Sequence, residues 1–415
     1  MRSQATTCAI VGGGPAGMVL GLLLARQGVR VTVLEKHADF LRDFRGDTVH
    51  PSTLELLDEL GLGERFAALP HTRVERLAFP LPGGGEVTAV DFRRLRTPYR
   101  YVAMVPQWDL LSLLAEAAGQ EPCFTLRMST EVTGLLWENG RVAGVRYRDR
   151  DGPGELRADL TVACDGRWSL VRREAGLRPR EFPVPLDVWW FRLPPLPGVS
   201  GALVPRVRDG AVFGLIPREG YVQVARLIPK GADARLRARG LDAFRRDLAA
   251  AVPEAAGVAG TIRGWDEVRV LDVRLNRLRR WHLPGLLCIG DAAHAMSPAG
   301  GVGINLAVQD AVAAARLLAG PLLRGRVTER DLAAVRRRRL LPTVVTQMVQ
   351  RVLHRLVFRP LLAGRLPRVA PVAAPLLRLV PGLSVVPARM IGVGVRPERA
   401  PAAARRPPAG TRPGG

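Results

Sequence analysis

The sequence predicts an α/β fold: a parallel sheet assembled from separated stretches of chain, a region of mostly antiparallel sheet, and a helical C-terminal region. Three observations carry this. A glycine-rich turn, Gly12-Gly13-Gly14-Pro15-Ala16-Gly17, separates an apolar run from a leucine-rich stretch. A second apolar run ends in Cys164-Asp165-Gly166, and a third ends in Gly290-Asp291. Short apolar runs of this kind suit strands buried on both faces of a parallel sheet.

The first piece is a complete local unit. Thr7 to Val11 reads as a strand and Ala16 to Arg26 as a helix. Strand, glycine turn and helix form the context that a dinucleotide fingerprint requires. Gly12 permits the tight turn, Gly14 lets a pyrophosphate approach the backbone, and Gly17 lets helix and strand pack closely. Pro15 and Ala16 stand at the helix start, whose positive end would carry the phosphates. A second strand, Val29 to Leu34, ends at Glu35, 23 residues after Gly12. A carboxylate there can hydrogen-bond ribose hydroxyls. A glycine turn without a ligand is the competing reading, and the fingerprint alone does not choose between FAD and a nicotinamide cofactor.

The later pieces bear on that choice. Asp165-Gly166-Arg167-Trp168-Ser169-Leu170-Val171-Arg172 has the form D-G-x-x-S-x-V-R. Gly290-Asp291 continues through His294 to Pro298-Ala299-Gly300-Gly301-Val302-Gly303-Ile304-Asn305. In this order and spacing the pieces resemble the FAD-dependent aromatic hydroxylases, the single-component monooxygenases typified by para-hydroxybenzoate hydroxylase. The likeness covers about the first 330 residues. It implies a discontinuous Rossmann-type FAD-binding domain. Asp165 would lie near the flavin and the nicotinamide approach, and Gly290 and Asp291 would bind the ribityl chain. Pro298 would open a loop and helix start in which Gly303, Ile304 and Asn305 present backbone amides to the flavin ring, where a helix N-terminus suits the negative charge of reduced flavin. Arg45 is similar to an arginine that contacts the cofactor, and Gln107 to a glutamine near the ribityl and phosphates. Arg45 also reads as a solvated loop charge, and Gln107 as a polar group at a helix start.

The resemblance implies FAD as cofactor and NADH or NADPH as reductant. Oxygen would add to the reduced ring, and a C4a-hydroperoxyflavin would hydroxylate an aromatic or polyketide-like small molecule. Two other readings share the scaffold. One is a reductase of a prenyl or lipid substrate. The other is a flavin halogenase, but its W-x-W-x-I-P motif has only Trp190-Phe191-Arg192-Leu193-Pro194 as a counterpart, and Lys36 and Lys230 sit in no suitable context. No catalytic side chain is identified. His50 reads as a polar loop residue before a helix capped by Ser52, and His294 as a residue that fixes the loop after Asp291.

Composition sets outer limits. The 415 residues are 47% hydrophobic, enough for a full core. Cys8, Cys123, Cys164 and Cys288 lie far apart, which predicts neither a disulfide frame nor a metal site. The N-terminus runs straight into the first strand and leaves no room for a signal peptide, so a cytoplasmic location is expected. The net charge of +23 comes almost wholly from arginines spread along the chain, which predicts no nucleic-acid partner. Arg336 to Arg339 is the densest run; it reads as an exposed helix face, with a weak site for anionic lipid or nucleic acid as the alternative.

The expected organisation has four parts. Residues 1–75, 101–182 and 265–330 form the FAD-binding domain, and residues 76–100 with 183–264 a substrate-binding β-sheet domain. Helix 51–61 carries Ser52 and Glu55 at capping-box spacing. Glu138-Asn139-Gly140 marks a hairpin. Trp189, Trp190 and Phe191 supply aromatic wall or sheet core, and alternation puts only some of them on one face. Residues 331–395 form a C-terminal helical region that covers the substrate or, alternatively, touches a membrane. Residues 396–415, dominated by Pro, Ala, Arg and Gly, are expected to be disordered.

Overall fold

A computed structural model describes residues 2–41, 48–80, 85–199, 203–365, 367 and 370–407. The first half contains β1 (Arg2–Val11), α1 (Pro15–Arg26), β2 (Val31–Leu34), α2 (Pro51–Glu59) and α3 (Gln107–Gly119). It continues with β3 (Phe124–Arg127), β4 (Glu131–Glu138), β5 (Arg141–Asp149), β6 (Gly152–Ala163) and α4 (Leu170–Glu174). Next come β7 (Pro179–Phe182), β8 (Leu186–Leu193), β9 (Val204–Arg208), β10 (Ala211–Arg218), β11 (Tyr221–Pro229), α5 (Leu241–Ala251) and β12 (Arg269–Leu271). The chain closes with β13 (Leu275–Leu278), β14 (His282–Leu283), β15 (Leu286–Cys288), α6 (Val302–Leu323), α7 (Glu329–Leu353), α8 (Ala370–Leu379) and α9 (Val385–Gly392).

The main sheet has the order β14-β15-β6-β1-β2-β3, with β5 and β4 extending from β6. β15, β6, β1, β2 and β3 are parallel, so their C-terminal ends share one edge. Their apolar runs are buried because α1, α3 and α6 cover them. Burial pushes the Cys8 thiol up to about 12 and raises those of Cys164 and Cys288, so these cysteines pack as small apolar groups. The hairpin signal holds: Asn139 and Gly140 take φ of 49° and 73° between β4 and β5.

The second sheet, β9-β10-β11-β8-β12, is antiparallel throughout. Strand alternation separates its aromatics as expected. Trp189 and Phe191 are buried against Phe244 of α5, with ring centres 5.5 and 5.2 Å apart. Trp190 faces the other side and packs against a separate buried cluster that includes Val102, Met104 and Ile216. Strands Arg76–Pro80 and Glu86–Asp91 pair as the predicted excursion, whose Pro82-Gly83-Gly84 turn falls outside the described residues.

Three expectations are corrected. Ser52 caps nothing: His50 is the N-cap of α2, and the Ser52 hydroxyl donates to the Asn305 side chain at 2.8 Å instead. The arginine run is not one exposed face, because Arg339 is fully buried and Arg338 pairs with Glu398 at 2.7 Å. The tail is packed as far as Arg406, with Glu398 buried, Arg399 2.5 Å from Glu55, and the Ala400 amide donating to Glu59 at 2.7 Å. Its small residues close onto α1 and α2, while residues 408–415 lie outside the described part.

α6 is long and apolar enough to cross a bilayer by length and composition, yet most of it is buried inside the protein. Its one carboxylate, Asp310, is fully buried and organises the surroundings. It accepts from the Gly290 amide (3.1 Å) and from Arg339 (3.0 Å), and its Oδ2 lies 2.5 Å from His294 Nε2. Arg339 also reaches Glu398 at 3.4 Å and the Arg396 carbonyl at 3.0 Å. Burial alone would push the Asp310 carboxyl up; His294 and Arg339 outweigh it and hold it below its ordinary value. Arg339→Met removes the cation between two buried carboxylates. A loss of about 3–5 kcal/mol in urea unfolding is expected, and a loss under about 1 kcal/mol would contradict a structural role.

Candidate active site

At the shared strand edge the backbone ladder continues past each strand. Gly12 N donates to Leu34 O at 2.8 Å, Cys164 N to Val11 O at 2.8 Å, and Ile289 N to Ala163 O at 3.1 Å. Gly12 takes φ +102°, and a Cβ there would lie 2.6 Å from the Cys164 carbonyl. At Gly17 a Cβ would collide with the Gly12 carbonyl. Gly14 is different: a Cβ there would have no protein atom within 4 Å beyond its chain neighbours. Directly after it, Pro15 and Ala16 begin α1, whose first-turn amides have no acceptor within the helix.

Glu35 is buried, and its carboxylate accepts from the Gly13 amide at 2.8 Å and the His37 amide at 3.1 Å. Asp165 Oδ2 accepts from Val171 N at 3.2 Å, whereas Oδ1 is buried with no partner among the described residues. Burial raises the Asp165 carboxyl, against hydrogen bonds from Ser169 and nearby amides that lower it. Arg172 ties the second piece to the third, donating to Arg167 O at 2.7 Å and Ala292 O at 3.1 Å. Arg167 lies 3.6 Å from Asp291, with both side chains partly exposed.

The segment from Pro298 to Gly303 is gripped from two sides. Gly300 and Gly301 take φ of 79° and 65°, turning the chain into α6. Thr48 donates to Gly301 O at 3.0 Å, and His50 Nε2 is 3.3 Å from Gly300 O. On the other side Gln350 donates to Ser297 O and Ala299 O at 2.9 and 3.0 Å, and His354 Nε2 is 2.9 Å from the Ser297 hydroxyl. Gly303 and Ile304 follow in the first turn of α6. The Asn305 side chain is committed elsewhere, accepting from Ser52 and Thr53 of α2 at 2.8 and 2.9 Å.

The structure thus brings Gly12, Gly14, Pro15, Ala16, Gly17, Glu35, Asp165, Gly290 and Asp291 to one edge, with Pro298 to Asn305 continuing from it. Gln107 opens α3 beyond strand Val102–Met104, which pairs with Thr48–Val49 beside Gly301. Arg45 falls outside the described residues. The motif ending in Arg172 and the run ending in Arg339 are visible in the sequence, but not the contacts these two residues make. Asp310, Gln350 and His354 are not singled out by sequence, although Asp310 stands as a lone carboxylate within an otherwise apolar helix.

Burial pushes His50 and His354 down to about 4, so both are neutral at pH 7. An unfolded histidine takes up a proton below its ordinary value of 6.5, and the folded one does not until about 4. Their contribution to stability is therefore complete above 6.5 and is lost as pH falls toward 4. In that window His354→Asn should show a shallower fall of unfolding free energy with acid than the unsubstituted protein; equal slopes would contradict it.

The chain is similar to known proteins. A family model described as an FAD binding domain matches residues 5–352. The 6-methylpretetramide 4-monooxygenase of Streptomyces rimosus is 38% identical, over 80% of this chain and 80% of that protein. A rifampicin monooxygenase of Streptomyces venezuelae is 31% identical, over 73% of this chain and 61% of that protein. The solved anhydrotetracycline hydroxylase OxyS of Streptomyces rimosus shares the fold, with TM-score 0.74 and 24% identity over 94% of this chain and 76% of that one. The chain belongs to the FAD binding domain family, among the flavin-dependent aromatic monooxygenases, and is an FAD-dependent oxidoreductase.

Proposed function

We propose that this chain is an NADH- or NADPH-dependent monooxygenase that hydroxylates an aromatic, polyketide-like small molecule. Overall, substrate, O2, NAD(P)H and a proton would give hydroxylated substrate, NAD(P)+ and water. The observation that carries the reading is the cradle at the strand edge, open in front of Gly14 and bordered by the held loop Pro298 to Gly303. The relatives named as 6-methylpretetramide and anhydrotetracycline monooxygenases support the substrate class.

The residues present fit FAD. The open position at Gly14 and the free first-turn amides of α1 suit a pyrophosphate. Glu35 would accept from the ribose, Asp291 would hold the ribityl chain, and Asp165, whose buried Oδ1 has no partner among the described residues, would lie near the flavin. Gly303, Ile304 and Asn305 would offer backbone amides at the start of α6, with Arg45 and Gln107 as further contacts. When bound, FAD supplies the electron transfer from NAD(P)H to oxygen. The chain's own tasks are to orient both partners and exclude water. Trp190, whose indole N–H is buried without a partner among the described residues, would donate to a substrate oxygen from the second sheet.

Two features weigh against the other readings. Lys230 is bound by Asp187, Asp272 and the Val273 carbonyl at 2.5–2.7 Å, which removes it as a halogenating lysine. The relatives named here are monooxygenases rather than lipid reductases. We place the enzyme in the cytoplasm, in peripheral contact with anionic membrane through its basic C-terminal region, where Leu376, Leu379, Val380 and Leu383 are also exposed. Failure to sediment with anionic vesicles at low salt would end that contact.

The decisive assay incubates the FAD-loaded protein with NADPH, 18O2 and 6-methylpretetramide or related phenolic polyketides, followed by mass spectrometry. One labelled oxygen per product molecule is expected. A saturated, unlabelled product formed without oxygen would overturn the reading in favour of a reductase.

A further inference from the structure

The antiparallel pair β7 and β13 packs on α7 and lines a cavity of about 120 Å³ with Arg180, Phe182, Arg277, Gln347, Met348 and Arg351. Arg180 and Arg277 are direct cross-strand partners. Like charges placed opposite one another destabilise a sheet. The guanidinium carbons of Arg180, Arg277 and Arg351 lie 5.3, 5.5 and 5.0 Å from the centre of the Phe182 ring. Arg336 adds a fourth cation, and its Nε is buried without a partner among the described residues. Burial first, then the charges of Arg180, Arg336 and Arg351, pull Arg277 below the ordinary guanidinium value.

Neutralisation elsewhere makes this group unusual. Arg338 and Arg339, in the same run as Arg336, are both paired with carboxylates. Among the described residues no carboxylate forms an ion pair with Arg180, Arg277, Arg336 or Arg351. Glu181 lies on the opposite face of β7, engaged by Arg274 at 3.5 Å and Asn276 at 3.0 Å. Three unneutralised guanidinium groups lining a cavity, with the charge of Arg336 acting on Arg277 as well, are the complement of a compact, multiply charged anion.

We propose that this pocket binds a phosphate-class dianion held by Arg180, Arg277 and Arg351. The Phe182 ring stacks the guanidinium groups and limits their rotation. Gln347 connects the pocket to the flavin side: it accepts from Arg277 at 2.8 Å and donates to Asn276 O at 2.7 Å and Ala295 O at 3.3 Å. The anion therefore sits one side chain away from the segment that follows Asp291. This assignment goes beyond the monooxygenase reading and does not depend on it.

The test follows thermal unfolding of the FAD-loaded protein in inorganic phosphate and in sodium chloride of matched ionic strength. A saturable rise of the midpoint is expected in phosphate alone. Arg180 and Arg351 are exposed and make no hydrogen bond among the described residues, so the double variant Arg180→Gln/Arg351→Gln should fold. Its apparent phosphate affinity should weaken by roughly tenfold or more. Identical midpoints in the two salts, or a full phosphate response in the double variant, would overturn the proposal. Phosphatidic acid vesicles that sediment the unsubstituted protein but not the variant, with release by inorganic phosphate, identify a lipid headgroup as the source. A phosphate response without sedimentation identifies a free anion.

Discussion

The cradle depends on strand ends approaching closer than any side chain allows. A Cβ on Gly12 would enter the Cys164 carbonyl, one on Gly17 would enter the Gly12 carbonyl, and one on Gly290 would press on Ala307 at 3.1 Å. These glycines close the protein on itself. Gly14 leaves room in the other direction, toward the space in front of α1. A single fingerprint thus contains two kinds of position, one set required for folding and one required for an approaching ligand.

Close approach alone would leave the third piece loosely held, since β15 is short and its continuation is loop. Asp310 supplies the missing constraint by binding the Gly290 amide, His294 and Arg339 at once. Burying a charge is costly unless it is paired and hydrogen-bonded, and here the pairing draws in α7 and, through Glu398, the C-terminal segment. The C-terminal region therefore stiffens the one expected to bind the cofactor. Gln350 and His354 extend the same support to Ser297 and Ala299, so α7 holds the loop along much of its length.

How much of this was legible depended on whether the signal was local. The parallel strands showed as apolar runs, the Asn139-Gly140 hairpin as a turn dipeptide, and the split of Trp189 and Phe191 from Trp190 as simple alternation. Features set by distant partners did not show. Ser52 and Glu55 have capping-box spacing, but Asn305 lies 253 residues away and claims the hydroxyl. The four consecutive arginines look alike, yet helix geometry buries Arg339, pairs Arg338 and leaves Arg336 beside Arg277. The tail reads as disordered by composition because its stabilising contacts are single charged residues such as Glu398 among small ones, a pattern without periodicity.

If the glycine-lined edge is an FAD site, its openness at Gly14 exists for the ligand. Gly14 adopts an extended backbone that any residue accepts, and a side chain there meets no protein atom. Gly14→Val therefore separates binding from folding. The measurement is FAD affinity by fluorescence titration of the apoprotein, alongside the apoprotein's unfolding midpoint. An unchanged midpoint with FAD binding lost is expected; a variant that binds FAD as tightly as the unsubstituted protein would show that the opening at Gly14 is not a flavin site.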